Sequence, residues 1–362
     1  MSKPLPKHIQ QLAPYIPGLP IEVVERQYGI KNAIKLASNE NPLGVSPKAL
    51  ERMRAVVNRL ALYPEGSCFD LRHALAKHNG VTPEEIICGN GSNEIIDLIA
   101  DTFIGKDYSA VVSQGAFLMY RLAIQAAGGR LIETPMRDFT HDLDAMAAAI
   151  APDTAVVYLA NPNNPTGTWN RRDELERFLA RVPGDVLIVL DEAYLEFVGA
   201  PDYPHGLDYF PKHPNLILLR TFSKIYGLAG IRLGYGIARP EIISALGRVR
   251  PPFNVSTVAQ AAGLGALEDS EFLKRSVAHN NKELPRVAAA LKAMNIPVLP
   301  SAGNFLMIEV GDGPAFAEAM IKEAVIVRPL SNYGFNHHIR VSIGLEEEND
   351  KFLAAAKKVL GR

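Results

Sequence analysis

Several short stretches carry side chains whose type and spacing suit chemistry. Thr221-Phe222-Ser223-Lys224 follows an apolar run from Leu216 to Leu219, and Arg232 stands eight residues beyond the lysine in a Gly-rich setting. A lysine desolvated at a strand end can act as a nucleophilic amine of the Schiff-base kind, while the arginine holds an anion. An ordinary loop with solvated charges would also fit these residues. Gly89-Asn90-Gly91-Ser92-Asn93-Glu94 joins an apolar run to a helical pattern. Its small residues let backbone N–H groups and the helix dipole face a phosphate, although a plain capped helix start looks the same. It is neither the dinucleotide fingerprint nor a P-loop lysine motif. In Asn161-Pro162-Asn163-Asn164-Pro165-Thr166-Gly167 two prolines stiffen the backbone, so an asparagine amide can be aimed at a ligand at small entropic cost. Asp191-Glu192-Ala193-Tyr194 follows five apolar residues. A carboxylate there is costly to bury unless it meets a cation or a protonated nitrogen, the alternative being a helix-capping aspartate.

These turns need a scaffold that brings them to one place. Apolar runs at 86–88, 109–113, 129–133, 155–160, 186–190, 215–219 and 234–238 predict strands, and helical patterns at 94–103, 119–127, 143–150 and 172–182 fall between them. Continuous rather than alternating apolar strands argue for a largely parallel sheet covered on both faces, and ligands of such sheets sit at the carboxyl ends of the strands. Earlier in the chain, Ser46-Pro47 starts a helix running to about residue 58 and a second helix spans 69–78. A helix-rich segment at 259–294 leads to strand signals at 297–299, 305–310, 325–327 and 339–342 and to a last helix near 350–360. The expectation is an α/β protein: a large domain with a mostly parallel seven-stranded sheet covered by helices, plus a smaller α/β domain. The divisions fall at 1–45 for an N-terminal arm, 46–258 for the large domain and 259–362 for the small one.

Composition excludes some functions. At 362 residues, 48% hydrophobic and 21% charged, the chain reads as a globular protein of more than one core. Its 38 basic and 39 acidic residues leave a formal −1, which asks for neither nucleic acid nor an anionic membrane. No stretch approaches the roughly 18 apolar residues of a membrane span and residues 1–7 lack the apolar core of a signal peptide, so the cytoplasm is expected. Cys68 and Cys88 make neither a disulfide framework nor a metal-ligand pattern, and no metal is expected.

A phosphate cradle, a rigid asparagine, a strand-end carboxylate, a tyrosine and a lysine, on successive strands, together fit pyridoxal 5′-phosphate, which needs a lysine and an acid partner for its ring nitrogen. From residues 35–44 to 339–344 the sequence resembles the fold-type I pyridoxal-phosphate-dependent aminotransferases. Asn163-Asn164-Pro165-Thr166-Gly167, Asp191-Glu192-Ala193-Tyr194 and Ser223-Lys224 with Arg232 carry the likeness. The resemblance implies Lys224 as the lysine that carries the cofactor and shuttles a proton, with Asp191 at the pyridine nitrogen and Asn164 and Tyr194 on the ring oxygen. Ser223, Arg232 and the turn at Gly91, Ser92 and Asn93 would hold the phosphate, joined by Tyr63 from the second subunit of a homodimer. Phe117 would stack on the ring. Two departures stand out: relatives often have tyrosine where this chain has Phe117, and aspartate where it has Asn93. Stacking and backbone donors survive both.

On the substrate side the resemblance implies Arg340 as a carboxylate- or phosphate-binding residue. Arg328 offers a second cation, so the pair could grip both anionic ends of a phosphorylated substrate, unless Arg328 forms a surface ion pair. Asn304 and Tyr15 are weaker candidates for the rim. The activity implied is transfer of an amino group between glutamate and imidazole-acetol phosphate in histidine biosynthesis, through alternating half-reactions. An aromatic amino-acid aminotransferase and a threonine-phosphate decarboxylase are the alternatives. A non-catalytic DNA-binding regulator ranks last, because the first 45 or so residues show no helix-turn-helix and no basic cluster.

Overall fold

The computed structural model describes residues 5–14 and 18–361. The seven expected strands form one sheet: β1 (Ile86–Gly89), β2 (Ser109–Ser113), β3 (Arg130–Thr134), β4 (Thr154–Ala160), β5 (Leu187–Asp191), β6 (Leu216–Thr221) and β7 (Gly234–Ile237). Their spatial order is β1-β7-β6-β5-β4-β2-β3. Only β7 runs antiparallel to its neighbours β1 and β6; the other pairings are parallel. Alternate residues of the central strands serve different cores. Val157, Leu159, Ile188 and Leu190 enter one apolar cluster, and Val156, Tyr158, Val189 and Ile217 enter a second. Burial on both faces is why these strands read as unbroken apolar runs.

The helix Pro47–Val56 starts as its sequence suggests, with the Ser46 hydroxyl accepting the Ala49 N–H and proline in the first turn. It closes in a short 3-10 turn, Val57–Arg59. The single helix-rich segment expected over 259–294 is two helices, Thr257–Glu268 and Ser270–Ala293. Asp269 separates them, its carboxylate accepting the Phe272 N–H and a 2.6 Å bond from the Ser46 hydroxyl. One aspartate thus caps a helix and ties it to the start of another. Ala259, Ala262 and Ala266 pack in the same cluster as Ala49 and Leu71, beneath the large sheet.

A smaller antiparallel sheet follows, with β8 (Phe305–Glu309) and β9 (Arg328–Leu330) flanking β10 (Phe335–Ser342). The strand expected at 297–299 is reduced to one bridge between Val298 and Ile308. Pro297 and Pro300 bracket it, and a proline offers no N–H to extend a ladder. The apolar run 325–327 is also divided: Val325–Ile326 pairs in parallel with Ile34–Lys35, and only beyond it does the chain join the small sheet. The N-terminal arm is therefore stitched into the small sheet's surroundings, with the Leu36 carbonyl accepting the Ser342 N–H at 2.9 Å.

Candidate active site

The turns after β1, β2, β4, β5 and β6, all at carboxyl ends, open into one cavity of about 400 Å³. It is closed on the far side by residues of the arm and of the small sheet, Ser38 and Arg340 among them.

Lys224 stands on the turn after β6, its Nζ donating to the Ser38 carbonyl at 3.0 Å and lying 5.9 Å from the centre of the Tyr194 ring. Burial, with the Arg340 charge adding to it, lowers its ammonium to about 7. A neutral amine, the nucleophilic form, is therefore well populated near neutrality. Across the cavity Asp191 ends β5. Its Oδ2 accepts a 2.7 Å bond from the Tyr120 hydroxyl and its Oδ1 the Ala193 N–H at 3.1 Å. Burial still pushes this carboxyl up to about 6. Two donors, and no ion pair among the described residues, leave it suited to a protonated ligand nitrogen.

Two further groups have their polarity fixed by neighbours. Arg340 donates Nη1 to Asn164 Oδ1 and Nη2 to the Ala37 carbonyl, which leaves the Asn164 amide N–H for a ligand. Asn39 Nδ2 donates to the Tyr194 hydroxyl oxygen at 2.9 Å, so the tyrosine's own proton is available to the cavity. Burial pushes Tyr194 up to about 12, and it stays a donor over the working range of pH.

At the other end, the helix Ser92–Phe103 begins at Gly91, whose φ of 80° suits glycine. A Cβ on Gly234, at the start of β7, would fall 2.3 Å from the Ser92 nitrogen, so only glycine lets strand and helix start approach this closely. Arg232 leans over the same turn and donates Nη1 to the Ala229 carbonyl at 3.0 Å, with Ser223 Oγ at 3.5 Å. Helix N–H groups, two serines and a guanidinium make a cradle for a phosphate.

Of the residues expected from sequence, Ser92, Asn93, Phe117, Asn164, Asp191, Tyr194, Ser223, Lys224, Arg232, Arg328 and Arg340 line this one cavity. Gly91 backs the Arg232 guanidinium without lining it. Asn304 lies outside the lining, buried, with its amide donating to the Asn39 and Glu40 carbonyls. Tyr63 is 83% exposed on another face, stacked on Phe253 at 4.8 Å. Tyr15 lies outside the described residues. The sequence reading missed Tyr120 and Asn39. Tyr120 stacks on Tyr158 at 5.0 Å and reaches Asp191 across 71 positions, a contact no local pattern announces.

Comparison with known proteins agrees with this arrangement. The sequence pattern of aminotransferase class I and II matches residues 31–356. The chain belongs to the aminotransferase class I and II family. It is 49% identical over 360 residues to a histidinol-phosphate aminotransferase of Anaeromyxobacter sp. (strain Fw109-5), covering 99% of each chain. It is 47% identical to histidinol-phosphate aminotransferase 2 of Pseudomonas aeruginosa, covering 97% of this chain and 96% of that one. Among solved structures, the histidinol-phosphate aminotransferase of Sinorhizobium meliloti in complex with pyridoxal-5′-phosphate superimposes with a TM-score of 0.90 at 31% identity. The match covers 100% of this chain and 98% of the other.

Proposed function

We propose that the chain is a pyridoxal 5′-phosphate-dependent aminotransferase that moves an amino group between histidinol phosphate and 2-oxoglutarate, yielding imidazole-acetol phosphate and glutamate, or the reverse. The observation that carries this reading is two groups lining one cavity: a buried lysine whose ammonium is lowered to about 7 and a buried strand-end carboxylate that forms no ion pair among the described residues. The residues fit the cofactor. The Ser92 and Asn93 turn, Ser223 and Arg232 would hold its phosphate, Asp191 its ring nitrogen, Asn164 and Tyr194 its ring oxygen, and Phe117 its face. When bound, pyridoxal phosphate supplies an aldehyde that takes up amino groups and a ring that receives the electrons freed when a substrate α-proton leaves.

Lys224 Nζ takes and returns the proton at the substrate α-carbon, with the Ser38 carbonyl as its resting partner. Asp191, with Tyr120 donating to one of its oxygens and the Ala193 N–H to the other, would stay ionised against a protonated ring nitrogen. Arg328 and Arg340 bind the phosphate of one substrate and a carboxylate of the other, both of which must use the same cavity in turn. A biosynthetic role of this kind fits the cytoplasm, and among the described residues no helix is long and apolar enough to cross a membrane. A homodimer with Tyr63 reaching the partner's phosphate is part of the same reading. Its support is the exposed apolar surface of Tyr63, its chain neighbour Leu62 and Phe253 stacked on it, with Leu62 at 68% and Phe253 at 45% exposure.

Mixing the loaded enzyme with histidinol phosphate, phenylalanine or threonine phosphate and following the cofactor absorbance tests the assignment. Histidinol phosphate should react faster by orders of magnitude, and Lys224→Ala should abolish turnover. Faster reaction of phenylalanine would move the substrate to the aromatic amino acids, and carbon dioxide release from threonine phosphate would replace the aminotransferase with a lyase.

A further inference from the structure

Tyr194 is held by a relay that begins on the small sheet. Ser342, near the end of β10 and buried, accepts the Asn39 backbone N–H at 2.8 Å and donates its own proton to Asn39 Oδ1 at 2.9 Å. Asn39, 1% exposed, then donates Nδ2 to the Tyr194 hydroxyl oxygen at 2.9 Å. The backbone of Asn39 has a φ of 55°, in the left-handed region that asparagine tolerates better than most residues. That conformation lets one residue offer its N–H and its side-chain oxygen to the same serine.

The direction of each bond follows from donor and acceptor counts. Were the Asn39 amide turned over, Ser342 would accept from both Asn39 nitrogens, and among the described residues its buried proton would have no recorded acceptor. In the orientation Oδ1 toward Ser342 and Nδ2 toward Tyr194, the Ser342 proton has its acceptor and the Tyr194 proton is left for the cavity.

We infer that Asn39 and Ser342 are positioning residues: they orient the Tyr194 hydroxyl so that it donates to an anionic oxygen in the cavity, and they make that orientation depend on docking of the arm and the small sheet. This inference rests on the cofactor reading above. Three stretches distant in sequence, the arm, β10 and the turn after β5, meet in two side-chain bonds to Asn39, so the polarity of the site reports whether they are in register. A Tyr194 free of Asn39 could turn its proton elsewhere.

The decisive substitution is Asn39→Asp, which keeps shape but makes the group an acceptor, drawing the Tyr194 proton away from the cavity. In loaded enzyme the pH midpoint of the cofactor's visible absorbance should rise by about one unit, and cofactor should be lost about tenfold faster. In a Tyr194→Phe background the same substitution should change both quantities much less, because only the through-space effect of the added carboxylate remains once the hydroxyl is gone. Ser342→Ala, which releases the Asn39 amide without altering its charge, should move the midpoint in the same direction by less and keeps the test open should Asn39→Asp fold poorly. In cofactor-free protein labelled at the tyrosine Cζ, Asn39→Asp should raise the Tyr194 titration. Unmutated protein that takes up no pyridoxal phosphate overturns the cofactor reading. Uptake with equal midpoint shifts in both backgrounds, or none in either, overturns the relay alone.

Discussion

At the scale of single residues the reactive amine is set by its surroundings. Lys224 is brought to about 7 by burial first and by Arg340 second. Only the neutral amine attacks an aldehyde, so the rate at which cofactor-free protein takes up pyridoxal phosphate should climb with pH and level off above about 7. Arg340→Gln removes a cation that favours the neutral form. The lysine should then hold its proton to higher pH, and the midpoint of stopped-flow uptake should move upward; an unmoved midpoint would assign the shift to burial and the other cations, Arg232 among them. Lys224, Asp191, Asn164 and Arg232 were legible in the sequence because each sits beside its own strand end, in a turn whose composition is unusual by itself. Tyr120 and Asn39 were not, since what gives them meaning is a partner 71 or 155 positions away.

At the scale of elements, the proposed phosphate cradle depends on two pieces of backbone that nearly touch. Gly234→Ala would place a carbon 2.3 Å from the Ser92 nitrogen, forcing β7 and the helix Ser92–Phe103 apart. Overpacking of this kind costs about 1–3 kcal/mol, readable by urea unfolding, and should weaken cofactor retention more than a destabilisation remote from the cradle would. Behind β5 and β6 lies a buried ion pair, with Arg220 Nη2 2.8 Å from Glu192 Oε2, Nη1 on Asn79 and the other carboxylate oxygen on the Gly206 N–H. Arg220→Met should cost about 3–5 kcal/mol, because it strands a charge in the core, whereas Arg220→Met with Glu192→Leu should recover part of that loss. The strands of the large sheet and their mostly parallel pairing followed from the apolar runs, whereas their order in space, with β7 inserted between β1 and β6, did not. The division of 259–294 did not, because Asp269 looks like a mid-helix residue until its contact with Ser46, 223 positions earlier, is seen.

At the scale of the whole molecule, Tyr63 is exposed beside Phe253 and does not line its own chain's cavity, so its proposed role depends on a second chain. In a homodimer whose sites are shared, Lys224→Ala and Tyr63→Ala chains are each defective, but unfolding them together and refolding should restore activity. Equal mixing gives half mixed dimers with one intact site of two, so about a quarter of wild-type activity is expected if neither variant retains any. Failure to recover activity above that of the separate variants would show that Tyr63 serves its own chain or none. The small sheet carries a further consequence, one of timing. Asn39 with Ser342, and Ala37 with Arg340, each join positions 303 residues apart. During synthesis the large sheet and its lysine can form while the wall that completes the cavity is still inside the ribosome. With Lys224 in the role proposed above, firm cofactor capture should wait until β10 has emerged, and a nascent chain halted before that point should not retain pyridoxal phosphate.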